Sequence, residues 1–148
     1  QRTTLPADML LAGQSGLVFL AISCLLGILI SAYGDLRSAV GLPPETYGAA
    51  GVAKFPHGMA MHAIQWLPLV AWAARRAGLA EPRRSRLVAC STFGTALVLA
   101  YALVQTLAGR SRFDAPPTVA ALLAIGGACL AVPAVVTAIA LLAGHRRT

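Results

Sequence analysis

The sequence predicts an all-α integral membrane protein: a four-transmembrane-helix bundle, one membrane domain over residues 1–148, with both termini cytoplasmic. Three observations carry that prediction. Four stretches contain no Asp, Glu, Lys or Arg: residues 9–34, 55–74, 87–109 and 115–144, which are 26, 20, 23 and 30 residues long. A helix needs about 20 mostly apolar residues to cross the hydrocarbon core of a bilayer. Only 11% of the chain is charged, against about 25% in a soluble domain, too little to clothe a water-facing surface. The net charge of +7 is gathered between the apolar stretches and after the last one. That is the distribution of membrane-anchoring charge, and no basic face with interleaved aromatics suggests nucleic acid.

The elements follow in chain order. Residues 1–5 are polar and expected to fray. Pro6 and Asp8 suit a first helical turn, where proline forfeits no hydrogen bond and a carboxylate meets the positive end of the dipole. The first span is expected over about 9–33, with Gly34 as its stop. It is too long for a signal-peptide core and has no evident cleavage site, so it reads as a retained span. Residues 35–54 read as a long loop, either a lid resting on Leu36, Val40, Leu42 and Tyr47 or a solvated tether.

The second span, about 56–74, carries His57, His62 and Gln65, and Pro68 is expected to kink it by clashing with the carbonyl of Ile64. A basic loop follows, with Glu81-Pro82 as its turn. The third span covers about 87–108 and bears Gln105 near its end. Residues 109–114 form a tight polar connection, and the fourth span, about 117–143, opens on Pro116-Pro117 and contains Pro133. Alanines recur every four residues at Ala96 and Ala100, at Ala120, Ala124 and Ala128, and at Ala134 and Ala138, a spacing that lets helix backbones approach in lipid.

Orientation comes from counting cations. With four spans, one side holds Arg2, Arg75, Arg76, Arg83, Arg84, Arg86, Arg146 and Arg147, and the other holds Arg37, Lys54, Arg110 and Arg112. The positive-inside rule makes the richer side cytoplasmic. Arginine outnumbers lysine eleven to one and alanine is abundant, the composition of a high-GC bacterial genome. The expected location is therefore the inner (cytoplasmic) membrane of a bacterium, as a multi-pass protein.

Polar side chains inside a spanning segment are costly and mark candidate function. On this topology Asp35, Arg37, His57, His62, Gln65, Gln105 and Arg110 gather at the outer membrane face. His62 and Gln65, three residues apart, share a helix face. The expected arrangement is an outward-facing polar recess, with His57 at its rim, His62 and Gln65 below and the Pro68 kink as its floor. It would bind a small ligand or cofactor: a quinone, a haem or a lipid headgroup. His57 and His62 are five residues apart, about 140° around a helix, which disfavours a bis-histidine haem within one chain and leaves a single-histidine or dimer-shared haem open. The same spacing is poor for a metal, which prefers three or four as in HExxH. Met59 and Met61 read as packing residues. Cys24, Cys90 and Cys129 form no motif and read as helix-interior residues. Ser15, Ser23 and Ser31 read as ordinary span residues.

Three stretches, GDLR at 34–37, PHGMAMHAIQWLPL at 56–69 and GRSRFD at 109–114, resemble those of a group of small bacterial four-helix membrane proteins. The resemblance covers most of the chain. It implies the four-helix membrane fold and brings no activity with it. Two further function classes stand beside ligand binding. One is a non-catalytic accessory subunit of a membrane complex, whose partners are other subunits or further copies of the chain in the bilayer. The other is a small membrane enzyme or transporter.

Overall fold

The computed structural model describes residues 5–43 and 53–145 and is all-helical there. Four helices follow one another: α1 (Ala7–Ala39), α2 (Lys54–Arg76), α3 (Glu81–Leu107) and α4 (Pro117–His145). Three of them, α1, α3 and α4, are long and apolar enough to cross a membrane. Helix α2 is not among these, because His57, His62 and Gln65 break its apolar run.

Each helix packs antiparallel to the next. Along α1 and α2, Asp8 meets Arg75, Gly16 lies against Ile64, and Ser23 meets His57. Trp66 on α2 reaches Thr95 on α3, and Cys90 on α3 meets Cys129 on α4. Helices α2 and α3 each touch all three others, whereas α1 and α4 do not touch one another. The bundle is therefore open, with α1 and α4 laid against different sides of a central pair.

The core is a stripe of small residues on α2. Pro56, Ala60, Ala63, Leu67, Ala71 and Ala74 are buried at spacings of three and four, one face of a 3.6-residue helix. Helix α1 answers with Asp8, Ala12, Gly16, Phe19, Ser23 and Leu26. That stripe stops at Leu26. Beyond it Ile28, Leu29, Tyr33, Leu36 and Val40 are all exposed.

The close approaches rest on glycine. A Cβ on Gly16 would lie 2.9 Å from the Ile64 Cα, and one on Gly126 would lie 2.9 Å from the Gly94 carbonyl oxygen. The four-residue alanine rows do not form these contacts, and Ala96, Ala124, Ala128, Ala134 and Ala138 are exposed. In so alanine-rich a chain, alanine periodicity does not locate an interface.

The ends of α1, α2 and α3 share one device. Gly41, Gly78 and Gly109 have φ of 74°, 68° and 62°. After α1 the Leu42 N–H donates to the Arg37 carbonyl (3.0 Å) and the Gly41 N–H to that of Ser38 (3.1 Å). This is the paired-bond cap that a left-handed glycine permits. It corrects the sequence reading of α1. Gly34 lies inside the helix, which runs on to Ala39, so Asp35 and Arg37 belong to its last turns and not to a loop. Leu36, Val40 and Leu42 are exposed rather than packed as lid contacts; Tyr47 lies outside the described residues. Helices α2 and α4 continue through Pro68 and Pro133.

Candidate functional site

The seven residues expected to line one recess fall into separate settings. His57 belongs to the α1–α2 contact. Its Nδ1 lies 2.8 Å from the Ser23 carbonyl oxygen and 3.0 Å from the Ser23 Oγ. A carbonyl only accepts, so Nδ1 carries the hydrogen and donates. The Ser23 hydroxyl donates in turn to the His57 carbonyl at 3.1 Å. In the neutral ring this fixes the tautomer and leaves Nε2 as an acceptor. Gly27 leaves room for the ring: a Cβ there would come within 3.2 Å of His57 Cε1.

His62 and Gln65 form a pair, as their spacing predicts. His62 Nδ1 is 3.0 Å from Gln65 Oε1. Both side chains are exposed, on the α2 face opposite its buried stripe, in line with Met61, Leu69, Trp72 and Arg76. They do not face into the bundle beneath His57, since five residues of helix turn His62 well away from it.

Gln105 is buried at 1% exposure and fastens a turn. Its Nε2 donates to the carbonyls of Ser111 (2.9 Å) and Asp114 (2.8 Å). Tyr101 supports the same turn, its hydroxyl donating to the Arg112 carbonyl. The Tyr101 ring also meets Phe55 edge-on, with centroids 6.2 Å apart, and the Arg112 guanidinium lies 5.8 Å from the Phe55 centroid. The start of α2, the end of α3 and the 109–114 turn thus come together at one end of the molecule. Gln105 Oε1 is buried there without a hydrogen-bond partner. Arg110 is exposed on the turn. Asp35 is exposed on α1, and Arg37 donates to the Pro43 carbonyl (3.1 Å) and the Tyr33 hydroxyl (3.3 Å). Among the described residues no group of three or more His, Cys, Asp or Glu is placed to hold a metal ion.

The strongest polar cluster sits at the opposite end and escapes the sequence reading. Asp8 is completely buried. Arg75 grips it with both edges of one fork, Nε to Oδ2 at 2.9 Å and Nη2 to Oδ1 at 2.5 Å. Arg84 adds Nε to Oδ2 at 3.1 Å and donates Nη1 to the Leu79 carbonyl at 2.7 Å. A buried carboxylate needs such partners, and here they tie the start of α1, the end of α2 and the start of α3 together. The signal is present in the sequence: Asp8 is the only acid before residue 35, and an antiparallel order of the helices lays it beside the basic α2–α3 corner. Ser23 also escapes, although it belongs to the α1 stripe at the level of His57.

No family model matches the chain, nor does any curated protein or solved structure.

Proposed function

We propose that this chain is a four-span protein of a bacterial inner membrane, with both termini cytoplasmic, and that it serves as a non-catalytic subunit of a larger membrane assembly. Its docking surface is the outer face of α2. The register of the helices supports the fourth span. Asp8, Arg75 and Arg84 meet at one level, so α2 begins near the far end of α1 and returns to the near end. Its 23 residues give a length of about 35 Å, enough for a hydrocarbon core of about 30 Å.

The observation that carries the docking surface is the exposed His62–Gln65 pair. His62 lies eight residues into α2, about 12 Å below its start. At that depth lipid offers no hydrogen bond to His62 Nε2 or to the Gln65 amide N–H groups, and such groups turn toward protein or water. A neighbouring helix with polar side chains satisfies them, and Leu69 and Trp72 extend the same face with apolar surface. In native mass spectrometry of gently solubilised membranes the chain is expected to carry a protein partner, either another subunit or a second copy. The double variant His62→Ala/Gln65→Ala is expected to lose that partner without a change in its own thermal midpoint. A wild-type chain found alone would contradict the reading.

A second reading, a small-ligand or cofactor site at the outer end, is favoured by two atoms. His57 Nε2 is left as an acceptor once Nδ1 is engaged with Ser23, and histidines that ligate metals are oriented by such a bond on the other nitrogen. Gln105 Oε1 is a buried acceptor without a partner. The absorption spectrum of the same preparation separates the readings, since a bound haem gives a Soret band and quinone is recovered by solvent extraction.

A further inference from the structure

From the α2–α3 corner we infer a binding site for a phosphate or phosphodiester group, formed by the free N–H donors of Arg75 and Arg84 and held in shape by Asp8. The geometry starts from an imbalance of charge. One buried carboxylate faces two guanidinium groups, and arginine does not lose its proton in proteins. Glu81, at the start of α3, acts on Arg75 as well and offsets that excess, so the positive sign of the corner comes from Arg76, Arg83 and Arg86 around the pair.

The donors are also not used up. A guanidinium has five N–H groups. Arg75 gives two to Asp8; Arg84 gives one to Asp8 and one to the Leu79 carbonyl. The remaining donors are not among the buried polar atoms that lack a partner, and the two side chains keep 29% and 18% of their accessible area. Both arginines hydrogen-bond to the same Oδ2 atom, so the two guanidinium groups are held beside one another. Two adjacent fixed forks suit a tetrahedral anion, which arginine recognises bidentately. Holding the side chains in advance removes much of the ordering cost of binding.

The surroundings agree in sign. Arg76, Arg83 and Arg86 lie exposed on the same corner and Glu81 is the one acid beside them, so the local potential draws anions. Buried pairing alone accounts for Asp8. It leaves unexplained a second arginine on the same carboxylate that keeps unused donors and stays partly open to solvent. Two sources share this chemistry: an anionic phospholipid headgroup, which also requires that this corner lie at the membrane surface, and free phosphate.

The test uses the full chain in mild detergent. Native mass spectrometry measures retention of phosphatidylglycerol against phosphatidylcholine, and inorganic phosphate is titrated as a competitor. Phosphatidylglycerol is expected to be retained about tenfold better. Arg84→Lys keeps a charge for Asp8 but loses the fork, and is expected to remove most of that preference. The double variant Arg83→Gln/Arg86→Gln lowers the corner's charge by two outside the site and is expected to change retention less than about threefold. Displacement by millimolar inorganic phosphate identifies free phosphate as the ligand; resistance to it identifies the lipid. Equal retention of the two lipids together with no phosphate binding overturns the inference, as does a loss in the double variant as large as that in Arg84→Lys. If Arg84→Lys does not fold, the lipid comparison and the double variant decide the question alone.

Discussion

At the scale of single residues, polar side chains here are settled by the nearest backbone carbonyl as much as by one another. His57 is held by the Ser23 carbonyl, Gln105 by those of Ser111 and Asp114, and Arg84 partly by that of Leu79. A sequence displays side chains and conceals carbonyls, and this is why seven polar residues sharing one end read as a recess when three of them, His57, Gln105 and Arg37, fasten backbone. Pairs within one helix are legible, as with His62 and Gln65, because their separation is fixed by 3.6 residues per turn. Pairs across helices, such as Asp8 with Arg75 and Arg84, depend on which helix faces which. The His57 assignment has a direct check. In the neutral protein, nitrogen NMR of its imidazole is expected to find the proton on Nδ1, and a proton on Nε2 with Nδ1 bare would contradict the Ser23 contact.

At the scale of elements, the existence of all four helices was readable from runs of apolar residues, and their ends much less so. Gly34 is the stop the sequence reading gives α1, and Gly41 is the glycine that caps it. The chain uses the second, where φ is 74° and two capping bonds close the end. The extra turn and a half, about six residues, carries Asp35 and Arg37 out of the loop and into α1. Alanine spacing does not show which residues make the helix contacts. Alanine rows are frequent in this chain, whereas the approaches that matter occur at Gly16, Gly94 and Gly126. Gly126→Ala puts a methyl 2.8 Å from Val98 Cγ2 and 2.9 Å from the Gly94 carbonyl oxygen. The α3–α4 pair has to part to accommodate it, at a cost of about 1–3 kcal/mol. A lowered thermal midpoint in detergent is the expected outcome. Gly127→Ala, whose methyl meets nothing within 4 Å, is the control and is expected to leave the midpoint within experimental error.

At the scale of the whole molecule, three helices, α1, α3 and α4, are long and apolar enough to cross a membrane, and the remaining one, α2, is among the most central. Helix α2 supplies the core stripe on one face and exposes His62, Gln65, Leu69 and Trp72 on the other. The proposed docking surface depends on the depth of that second face, and its depth depends on α2 crossing the bilayer. Accessibility of introduced cysteines decides this. In a background with Cys24, Cys90 and Cys129 replaced by alanine, Ser38→Cys at the end of α1 and Arg83→Cys at the start of α3 flank α2 in sequence and report, in intact cells, on the two sides it would connect. The account predicts that a membrane-impermeant reagent labels the cysteine at position 38 from outside and reaches that at 83 only after the membrane is opened. Labelling of both from the same side would contradict the fourth span and the docking surface that rests on it.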